Sequence, residues 1–398
     1  MTDGATSVAR RPPPPIPLTI ITGFLGAGKT TLLNRLLTAP ELADTLVLIN
    51  EFGDVGLDHL FIEKIDGDMV LMNSGCVCCT IRGDLVNTLE DLLRKLDNGR
   101  IKPFSRVILE TTGLADPAPI LHAIMYHPYL LLRFRLDGVV TVIDAVNGDA
   151  TLDAQEEAVK QAAVADRLVM TKTDLPEGAE RVAALTERLA VLNPGARILN
   201  TAKGEATPAA LLECGLFDPE TKTPRVKEWL NAEAVAAAHD RGRDHEHDHG
   251  HRHDDPDHHD HDHPHSQDHN RHDAHIRAFC LTGDKPFAPS SFEAFIELLR
   301  GTHGPRLLRV KGIVALADDE RRPVVIHGVQ HVFHPPQRLD AWPDDDHRTR
   351  IVFILKDLDE RFIESLYASL VDWPGVGEAD AAAITQNPLA PKAGGLLG

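Results

Sequence analysis

A glycine-rich segment near the amino terminus has the residue types and spacing to bind phosphate. Four residues separate Gly23 from Gly28, and Lys29 and Thr30 follow, which is the spacing of a phosphate-binding loop. A β-prone run, Leu18–Ile21, precedes the segment and a helical leucine pattern follows it, so the strand–loop–helix context is present. Glycines let backbone N–H groups turn towards phosphate oxygens, and the helix N-terminus adds a favourable dipole. The sequence therefore predicts a site for a nucleoside triphosphate.

Three side chains are expected to do the catalytic work of this site. Lys29 is expected to reach the β- and γ-phosphates, and the Thr30 hydroxyl to ligate Mg²⁺. Glu110 closes an apolar run and is expected to hold the same Mg²⁺, directly or through water. Gly113 follows, and its backbone is expected to approach the γ-phosphate, so that Thr111–Asp116 acts as a nucleotide-sensing switch. The other loop residues expected to contact the nucleotide are Gly23, Gly26, Ala27, Gly28 and Thr31.

The segment Thr171–Asp174 indicates which base the site prefers. It has the form of the base-recognition element of GTPases, in which Lys, any residue and Asp follow an asparagine or its substitute. The Asp174 carboxylate can accept two N–H bonds from guanine, whereas adenine presents an acceptor there, and Lys172 is expected to pack its stem over the base. Thr201 and Ala202 are expected to offer a backbone N–H to guanine. These residues favour GTP over ATP.

Three cysteines within four residues form a second chemical motif. Cys76, Cys78 and Cys79 can converge on one soft cation, and zinc accepts thiolate sulfur in tetrahedral sites. Adjacent cysteines are poorly placed for a mutual disulfide, which favours metal binding. Three thiolates leave one tetrahedral position open, for which Glu51 and Asp54 are the candidates. The alternative interpretation is a cluster of small buried side chains.

Strand-like and helix-like segments alternate through the first half of the chain. We predict strands over 18–21, 45–49, 69–72, 106–110, 138–143, 167–170 and 196–199, with helices over 85–96 and 153–163. This alternation predicts an α/β fold, with a mostly parallel sheet covered by helices on both faces. Polar motifs follow the strands, and sites in such sheets lie at the carboxyl ends of strands.

The second half contains a histidine-rich insert and then a smaller domain. Between His239 and His275 there are 14 histidines and 11 acidic residues. So polar a segment cannot bury enough surface to fold, and we predict a disordered insert that gathers metal ions. We predict strands over 278–281, 307–317, 323–330 and 351–355 with helices over 290–299 and 360–370, which is typical of a compact α+β domain. The predicted division is a flexible lead over 1–14, a nucleotide domain over 15–228, the insert over 239–275, the α+β domain over 276–370 and a disordered tail over 377–398.

Composition excludes several classes of function. The net charge of −19 argues against nucleic acid as a partner, because a phosphate backbone needs a basic face. No apolar run approaches the length of a membrane span, and the amino terminus lacks the apolar core of a signal peptide. Five cysteines, three of them clustered, suit a reducing compartment, and we predict a cytoplasmic protein.

Taken together and in order, the motifs resemble those of the CobW-type metal-chaperone GTPases, a group that includes CobW-, HypB- and UreG-like P-loop proteins. The motifs that match are Thr22–Thr31, Asn50–Gly53, Gly75–Cys79, Glu110–Pro117 and Thr171–Asp174. The resemblance implies slow GTP hydrolysis coupled to holding and delivering a metal, most often Zn²⁺ and sometimes Co²⁺. Ni²⁺ can compete at the histidines, as the Irving–Williams order predicts. The resemblance also implies that the three clustered cysteines are ligands. Some relatives have a glutamate directly before the Asn-Glu-Phe-Gly element, where this chain has Ile49, so that role would pass to Glu51 or Asp54.

Three functions remain open from the sequence. The favoured one is a GTP-dependent metallochaperone that binds Zn²⁺ at Cys76, Cys78 and Cys79 and hands it to a metal-dependent client protein. A nucleotide-dependent homodimer is compatible with this function. The second is a metal buffer or store that uses the histidine-rich insert. The third is a regulatory GTPase in which the cysteines only pack.

Overall fold

A computed structural model describes residues 14–52, 69–74, 80–212, 214 and 275–372 of the chain. For residues 50–52, 69–74 and 80–84 it describes the backbone course only. Asp54, the Gly75–Cys79 motif, residues 239–274 of the predicted insert and the predicted tail lie outside these ranges. No helix among the described residues is both long and apolar enough to span a bilayer.

The first domain alternates strands and helices as the sequence predicts. Its strands are β1 (Ile16–Gly23), β2 (Thr45–Phe52), β3 (Met69–Ser74), β4 (Arg106–Glu110), β5 (Phe134–Asp144), β6 (Arg167–Thr171) and β7 (Arg197–Asn200). Its helices are α1 (Lys29–Leu37), α2 (Thr80–Asp97), α3 (Ala118–Tyr126), α4 (Pro128–Arg133), α5 (Gly148–Ala154), α6 (Glu156–Ala163), α7 (Pro176–Leu192) and α8 (Pro208–Leu211). A 3₁₀ turn over Pro40–Leu42 follows α1.

These strands form one parallel sheet in the order β3-β2-β4-β1-β5-β6-β7. Alternate residues along each strand face opposite sides of the sheet. In β4, Val107 and Leu109 pack in the core formed with α2 and α3, whereas Ile108 packs in the core formed with α1. Helices therefore cover both faces, and the predicted fold class is confirmed. The same alternation turns Glu110 towards α1.

The second domain is an antiparallel sheet with two helices. Its strands are β8 (Ile276–Gly283), β9 (Leu307–Val314), β10 (Val324–Val329), β11 (Val332–Phe333), β12 (Gln337–Arg338) and β13 (Thr349–Lys356), and its helices are α9 (Pro289–His303) and α10 (Glu360–Val371). A 3₁₀ turn, Gly304–Arg306, precedes β9. The sheet order is β11-β10-β9-β13-β8, with β12 also paired to β10. Phe287, Phe295 and Phe353 fill the core between the sheet and its helices.

Two predicted segments differ from the structure in an informative way. The single helix predicted over 153–163 is two helices, because Gln155 is extended at φ −130° and ψ 111° and α6 begins again behind it. The strand predicted over 307–317 ends at Val314, because the backbone beyond it pairs with a loop instead: the N–H groups of Phe287 and Ala317 bond the carbonyls of Ala315 and Phe287 at 2.9 and 2.8 Å. Helices α3 and α7 are not among the predicted elements.

A buried polar cluster joins the two domains. The Asp166 carboxylate, between α6 and β6, accepts hydrogen bonds from Arg309 at 2.7 Å and from Lys311 at 2.6 Å. Its other oxygen accepts the N–H of Val139 at 2.9 Å, and Arg309 also donates to the carbonyl of Val164. Because these charged groups are almost fully excluded from water, they hold β9 rigidly against the end of α6.

Candidate functional site

The loop between β1 and α1 has the backbone that a phosphate cradle requires. Gly23, Gly26 and Gly28 have φ values of 140°, 71° and 93°, a region that side chains disfavour. At Gly23 a Cβ atom would also lie 2.3 Å from the carbonyl oxygen of Val142, so only glycine fits beside β5. Lys29 is buried, and its Nζ donates to the carbonyl of Phe24 at 3.2 Å, which holds the ammonium over the loop. This loop can therefore direct N–H groups and one cation at phosphate oxygens.

Two residues expected to contact Mg²⁺ lie together. The Thr30 hydroxyl donates to Oε1 of Glu110 at 2.7 Å. Thr30 lies in the first turn of α1, and Glu110 ends β4 on the face that α1 covers, so the strand alternation brings them together. A hydroxyl and a carboxylate are hard oxygen ligands of the kind that Mg²⁺ takes, and this donor set fits the ion. We find this pair where the two elements meet the phosphate loop.

The segment after β4 packs directly on the phosphate loop. A Cβ atom at Gly113 would lie 2.6 Å from the backbone nitrogen of Leu25, so the close approach requires glycine. Thr111 connects the start of the segment to β1. Its N–H donates to the carbonyl of Ile21 at 2.9 Å, and its hydroxyl donates to the hydroxyl of Thr22 at 2.8 Å. The predicted sensing segment is thus adjacent to the predicted cradle.

The end of β6 fixes the opposite side of the phosphate loop. The Thr171 hydroxyl donates to the carbonyl of Ala27 at 2.6 Å, and this bond holds the phosphate loop against the end of β6. Lys172 has a φ of 56°, which is uncommon outside glycine, and its Nζ donates to Asp144 at 2.6 Å. Burial opposes ionisation of Asp144, but hydrogen bonds from Lys172, Asn147 and Val146 lower its pKa. This ion pair fixes the direction of the Lys172 stem.

Asp174 is exposed beside the loop that follows β7. Asn200 organises that loop: its Oδ1 accepts the Thr173 hydroxyl at 2.6 Å and the N–H of Ala202 at 2.9 Å. The N–H of Thr201 donates to the carbonyl of Met170 at 3.0 Å. Both N–H groups thus donate within the protein, and the expected contact of Thr201 and Ala202 with guanine stays a prediction.

The predicted transition-metal ligands are only partly covered by the structure. Glu51 lies in β2, level with Asn73 of β3, but only its backbone is described. Cys76, Cys78, Cys79 and Asp54 lie outside the described residues. Within the described ranges no group of three His, Cys, Asp or Glu side chains could hold a metal ion. Burial raises the pKa of the Cys214 thiol to about 12, and burial also raises the pKa of Cys280, so neither is a ready thiolate.

Several residues that complete this site escape sequence reasoning. Gln161 is fully buried in α6 and reaches the Gly113 segment, while Asp144 and Asn200 fix the loops around Asp174. The sequence around a single glutamine inside a helix, or around an asparagine at the end of a strand, does not indicate that its side chain holds a distant loop. Only the position of the side chain against that loop reveals this role.

Comparison with known proteins gives matches over both domains. The model of the "CobW/HypB/UreG, nucleotide-binding domain" matches residues 17–200, and that of the "Cobalamin synthesis protein cobW C-terminal domain" matches residues 276–371. The chain is 31% identical to the zinc chaperone YjiA of Escherichia coli, over 89% of this chain and 99% of that protein. It is 27% identical to the zinc chaperone CobW of Sinorhizobium sp, over 89% of this chain and 97% of that protein.

A solved structure has the same architecture. The crystal structure of Zn(II)-bound YjiA GTPase from E. coli aligns with a TM-score of 0.61 at 27% identity, over 90% of this chain and 99% of that one. The likeness therefore extends through both sheets rather than through the phosphate loop alone.

Proposed function

Because this chain belongs to the CobW/HypB/UreG family, we propose that it is a GTP-hydrolysing zinc metallochaperone that holds its metal at Cys76, Cys78 and Cys79. It is a P-loop GTPase, and its substrates are GTP and the metal ion it carries. Nucleotide hydrolysis would control release of that ion to a metal-dependent client. Client delivery, a reducing cytoplasmic setting and a nucleotide-dependent homodimer are parts of the proposal.

The order of the strands carries the proposal. Strand β3 ends at Ser74, directly before the Gly75–Cys79 motif, and it pairs with β2, whose Phe52 is level with Ser74. Strand β2 pairs in turn with β4, where Ile49 is level with Glu110. Two strand spacings are about 10 Å, and Ser74 is three residues, about 10 Å, further along the strand than the level of Glu110. The cysteine motif therefore begins on the order of 14 Å from the proposed magnesium ligand, at the same edge of the sheet. Such proximity lets the occupancy of one site alter the other.

The nucleotide site fits GTP with Mg²⁺. The positive-φ glycines and Lys29 would bind the phosphates, and Thr30 with Glu110 would hold the ion. Mg²⁺ would supply charge neutralisation at the β- and γ-phosphate oxygens. Lys29 would stabilise the charge that develops on the transferring phosphoryl group.

Asp174→Asn tests the choice of base. The carboxylate can accept both guanine donors, whereas an amide presents an NH₂ group to one of them. We expect the variant to bind GTP about 100-fold more weakly and to gain affinity for xanthosine triphosphate, which presents an oxygen at that position. Fluorescent-nucleotide titration measures both affinities. Glu177→Gln, at an exposed position in the first turn of α7, is the control and should bind GTP as the parent does. Unchanged GTP affinity in Asp174→Asn would contradict guanine recognition at this residue.

Relatives support zinc as the cargo. The two zinc chaperones and the fission-yeast zinc-regulated GTPase metalloprotein activator 1, which is 36% identical over 48% of this chain, carry zinc in their names. A triple alanine mutant of YjiA, lacking one glutamate and two consecutive cysteines, is also described as Zn(II)-bound. A zinc measurement on this chain must therefore distinguish a cysteine site from zinc held elsewhere.

Zinc affinity in the two nucleotide states tests the coupling. We expect the affinities with a non-hydrolysable GTP analogue and with GDP to differ by at least about fivefold, because occupancy of one site changes the other. Equal affinities would indicate a simple metal buffer. Competition with a chelating dye measures the affinity. The experiment uses protein lacking residues 239–274, which removes the histidine-rich competitor but keeps His275, whose Nδ1 bonds Asp357 at 2.5 Å.

A cysteine pair and a control cysteine identify the site. The double variant Cys78→Ser, Cys79→Ser should lose the tight, nucleotide-dependent zinc ion. Cys280→Ser should keep it, because Cys280 lies in β8 of the second domain and burial raises its pKa. If the double variant kept the nucleotide-dependent ion, the cysteines would be structural and the regulatory GTPase would be the better description.

A further inference from the structure

The side chain of Gln161 bridges α6 and the segment that follows β4. It is fully buried, and its Nε2 donates to the carbonyl oxygens of Gly113 at 3.2 Å and Ala115 at 2.9 Å. Carbonyl oxygens only accept, so the NH₂ end of the amide must face them. One side chain thus holds two points of the proposed sensing segment, at residues 48 and 46 positions away in the sequence.

The segment is held from both sides at Gly113. On one side it abuts Leu25 of the phosphate loop, at a distance that only glycine allows. On the other side Gln161 holds its carbonyl. A backbone fixed at both faces presents its N–H in one direction before any ligand arrives, and such preorganised donors act without a reorganisation cost.

Gln161 itself stands on a rigid support. The Thr141 hydroxyl of β5 donates to the backbone carbonyl of Gln161 at 2.7 Å. Beside it, Lys160 forms ion pairs with Glu156 at 3.0 Å and with Asp116, in the sensing segment, at 3.8 Å. Hydrogen bonds thus connect β5 to Gln161 and Gln161 to the Gly113 segment, so the central sheet helps to hold that segment in place.

We propose that Gln161 is a positioning residue for GTP hydrolysis: it holds the Gly113–Ala115 backbone where the Gly113 N–H meets the γ-phosphate, and so sets the preference for GTP over GDP. It touches no reacting atom. The inference rests on the proposed placement of Gly113 beside the γ-phosphate, and it is independent of the zinc site.

Gln161→Met tests the inference. Methionine has nearly the same length but donates no hydrogen bond, so the segment loses its inner support. We expect affinity for a non-hydrolysable GTP analogue and the turnover number each to fall about tenfold, while GDP affinity stays within about twofold. Nucleotide titration and single-turnover hydrolysis measure these values. An unchanged ratio of GTP-analogue to GDP affinity in a folded variant would overturn the proposal.

Asn193→Leu is the matched control. Asn193 is also a buried amide, and it donates to the carbonyls of Ala162, Ala163 and Ala165 at 2.8, 3.1 and 2.9 Å, at the carboxyl end of the same helix just after Gln161. Asn193→Leu should lower the melting temperature, as we expect for Gln161→Met. It should leave the ratio of GTP-analogue affinity to GDP affinity unchanged. An equal change of the ratio in both variants would show that loss of packing alone explains it, and the proposal would fail.

Two more variants separate the possible failures. Gln161→Asn keeps an amide but is one methylene too short to reach the segment, so it replaces Gln161→Met if that variant does not fold. Gly113→Ala displaces the segment from Leu25. If Gly113→Ala changes the ratio and the Gln161 variants do not, the proposal about Gln161 is wrong and the nucleotide site stands. If none of these variants changes the ratio of GTP-analogue to GDP affinity, the segment does not sense the γ-phosphate. The proposal about Gln161 and the proposed placement of Gly113 beside the γ-phosphate then both fail.

Discussion

Lys29→Met is expected to lower the rate of GTP hydrolysis by at least about 100-fold. The ammonium is the cation that the structure holds over the phosphate loop, through its bond to the carbonyl of Phe24 at 3.2 Å. Removing one preorganised donor from a site of developing charge costs on the order of 10²–10³ in rate. Methionine keeps the apolar stem, so the fold of the loop should persist. Phosphate release under single-turnover conditions, with saturating GTP, measures the effect.

Lys285→Met is the control for the loss of a lysine. Lys285 lies on the second domain, where its ammonium pairs with Asp372 at 2.5 Å and remains largely exposed. We expect its hydrolysis rate to equal that of the parent protein. A Lys29→Met protein that hydrolysed GTP at the parent rate would show that the Lys29 ammonium does not stabilise the charge that develops during hydrolysis.

Asp166→Asn is expected to cost about 3–5 kcal/mol in the free energy of unfolding. The variant leaves Arg309 and Lys311 in the domain boundary without the carboxylate that both of them bind at 2.7 and 2.6 Å. Buried charges that lose their partner are strongly destabilising, because neither water nor another carboxylate replaces it. Urea denaturation followed by circular dichroism, for parent and variant at pH 6.5, measures the difference.

The pH dependence of this difference has a definite sign. Burial opposes ionisation of Asp166, but the charges of Arg309 and Lys311 outweigh it and hold its pKa far below the usual range. The contribution is therefore complete above the unfolded-state pKa of about 4 and is lost as the pH falls towards the lower folded-state value. We expect the stabilities of parent and variant to converge below about pH 4. Burial lowers the pKa of Lys311 to about 8, so the comparison stays below pH 7, where Lys311 is charged.

Asp97→Asn provides the exposed counterpart. Asp97 binds Arg133 through two hydrogen bonds at 2.7 and 2.8 Å, but about half of its side chain is exposed to solvent. Exposed ion pairs contribute less than about 1 kcal/mol, because water screens them. If Asp166→Asn cost no more than Asp97→Asn, the boundary cluster would not be what holds the two domains together.

Some parts of this protein are encoded in contiguous residues and could be predicted before the structure was known. The spacing from Gly23 to Thr30 identified the phosphate loop, because the residues that form such a loop are neighbours in the chain. Alternation of strands with helices determined the parallel sheet and its two covered faces. The cysteine motif and the segment around Asp174 likewise carry their chemistry locally, although the role of the cysteines remains a proposal.

Sequence reasoning was less reliable where a segment's structure depends on what packs against it. The early end of β9 at Val314 follows from contacts with the loop at Phe287. The helix break at Gln155 is a change of backbone conformation that the residue pattern does not indicate. Helix α7 begins with Pro176 and packs Leu185 and Leu189 in the core, but its leucine pattern is weaker than that of α1 and does not by itself predict a helix.

Some contacts between residues far apart in the chain could be identified from the folded structure alone. Gln161 meets Gly113 and Asp166 meets Arg309, with sequence separations of 48 and 143 residues. The contact of Glu110 with Thr30, 80 residues away, was expected from their motifs. Each meeting depends on the order of strands in the sheet and on how one domain docks on the other. Residue type and local spacing contain no record of that order, because the crossover connections and the packing of the whole chain set it. The local motifs were therefore readable from the sequence, and the long-range contacts of Gln161 and Asp166 were not.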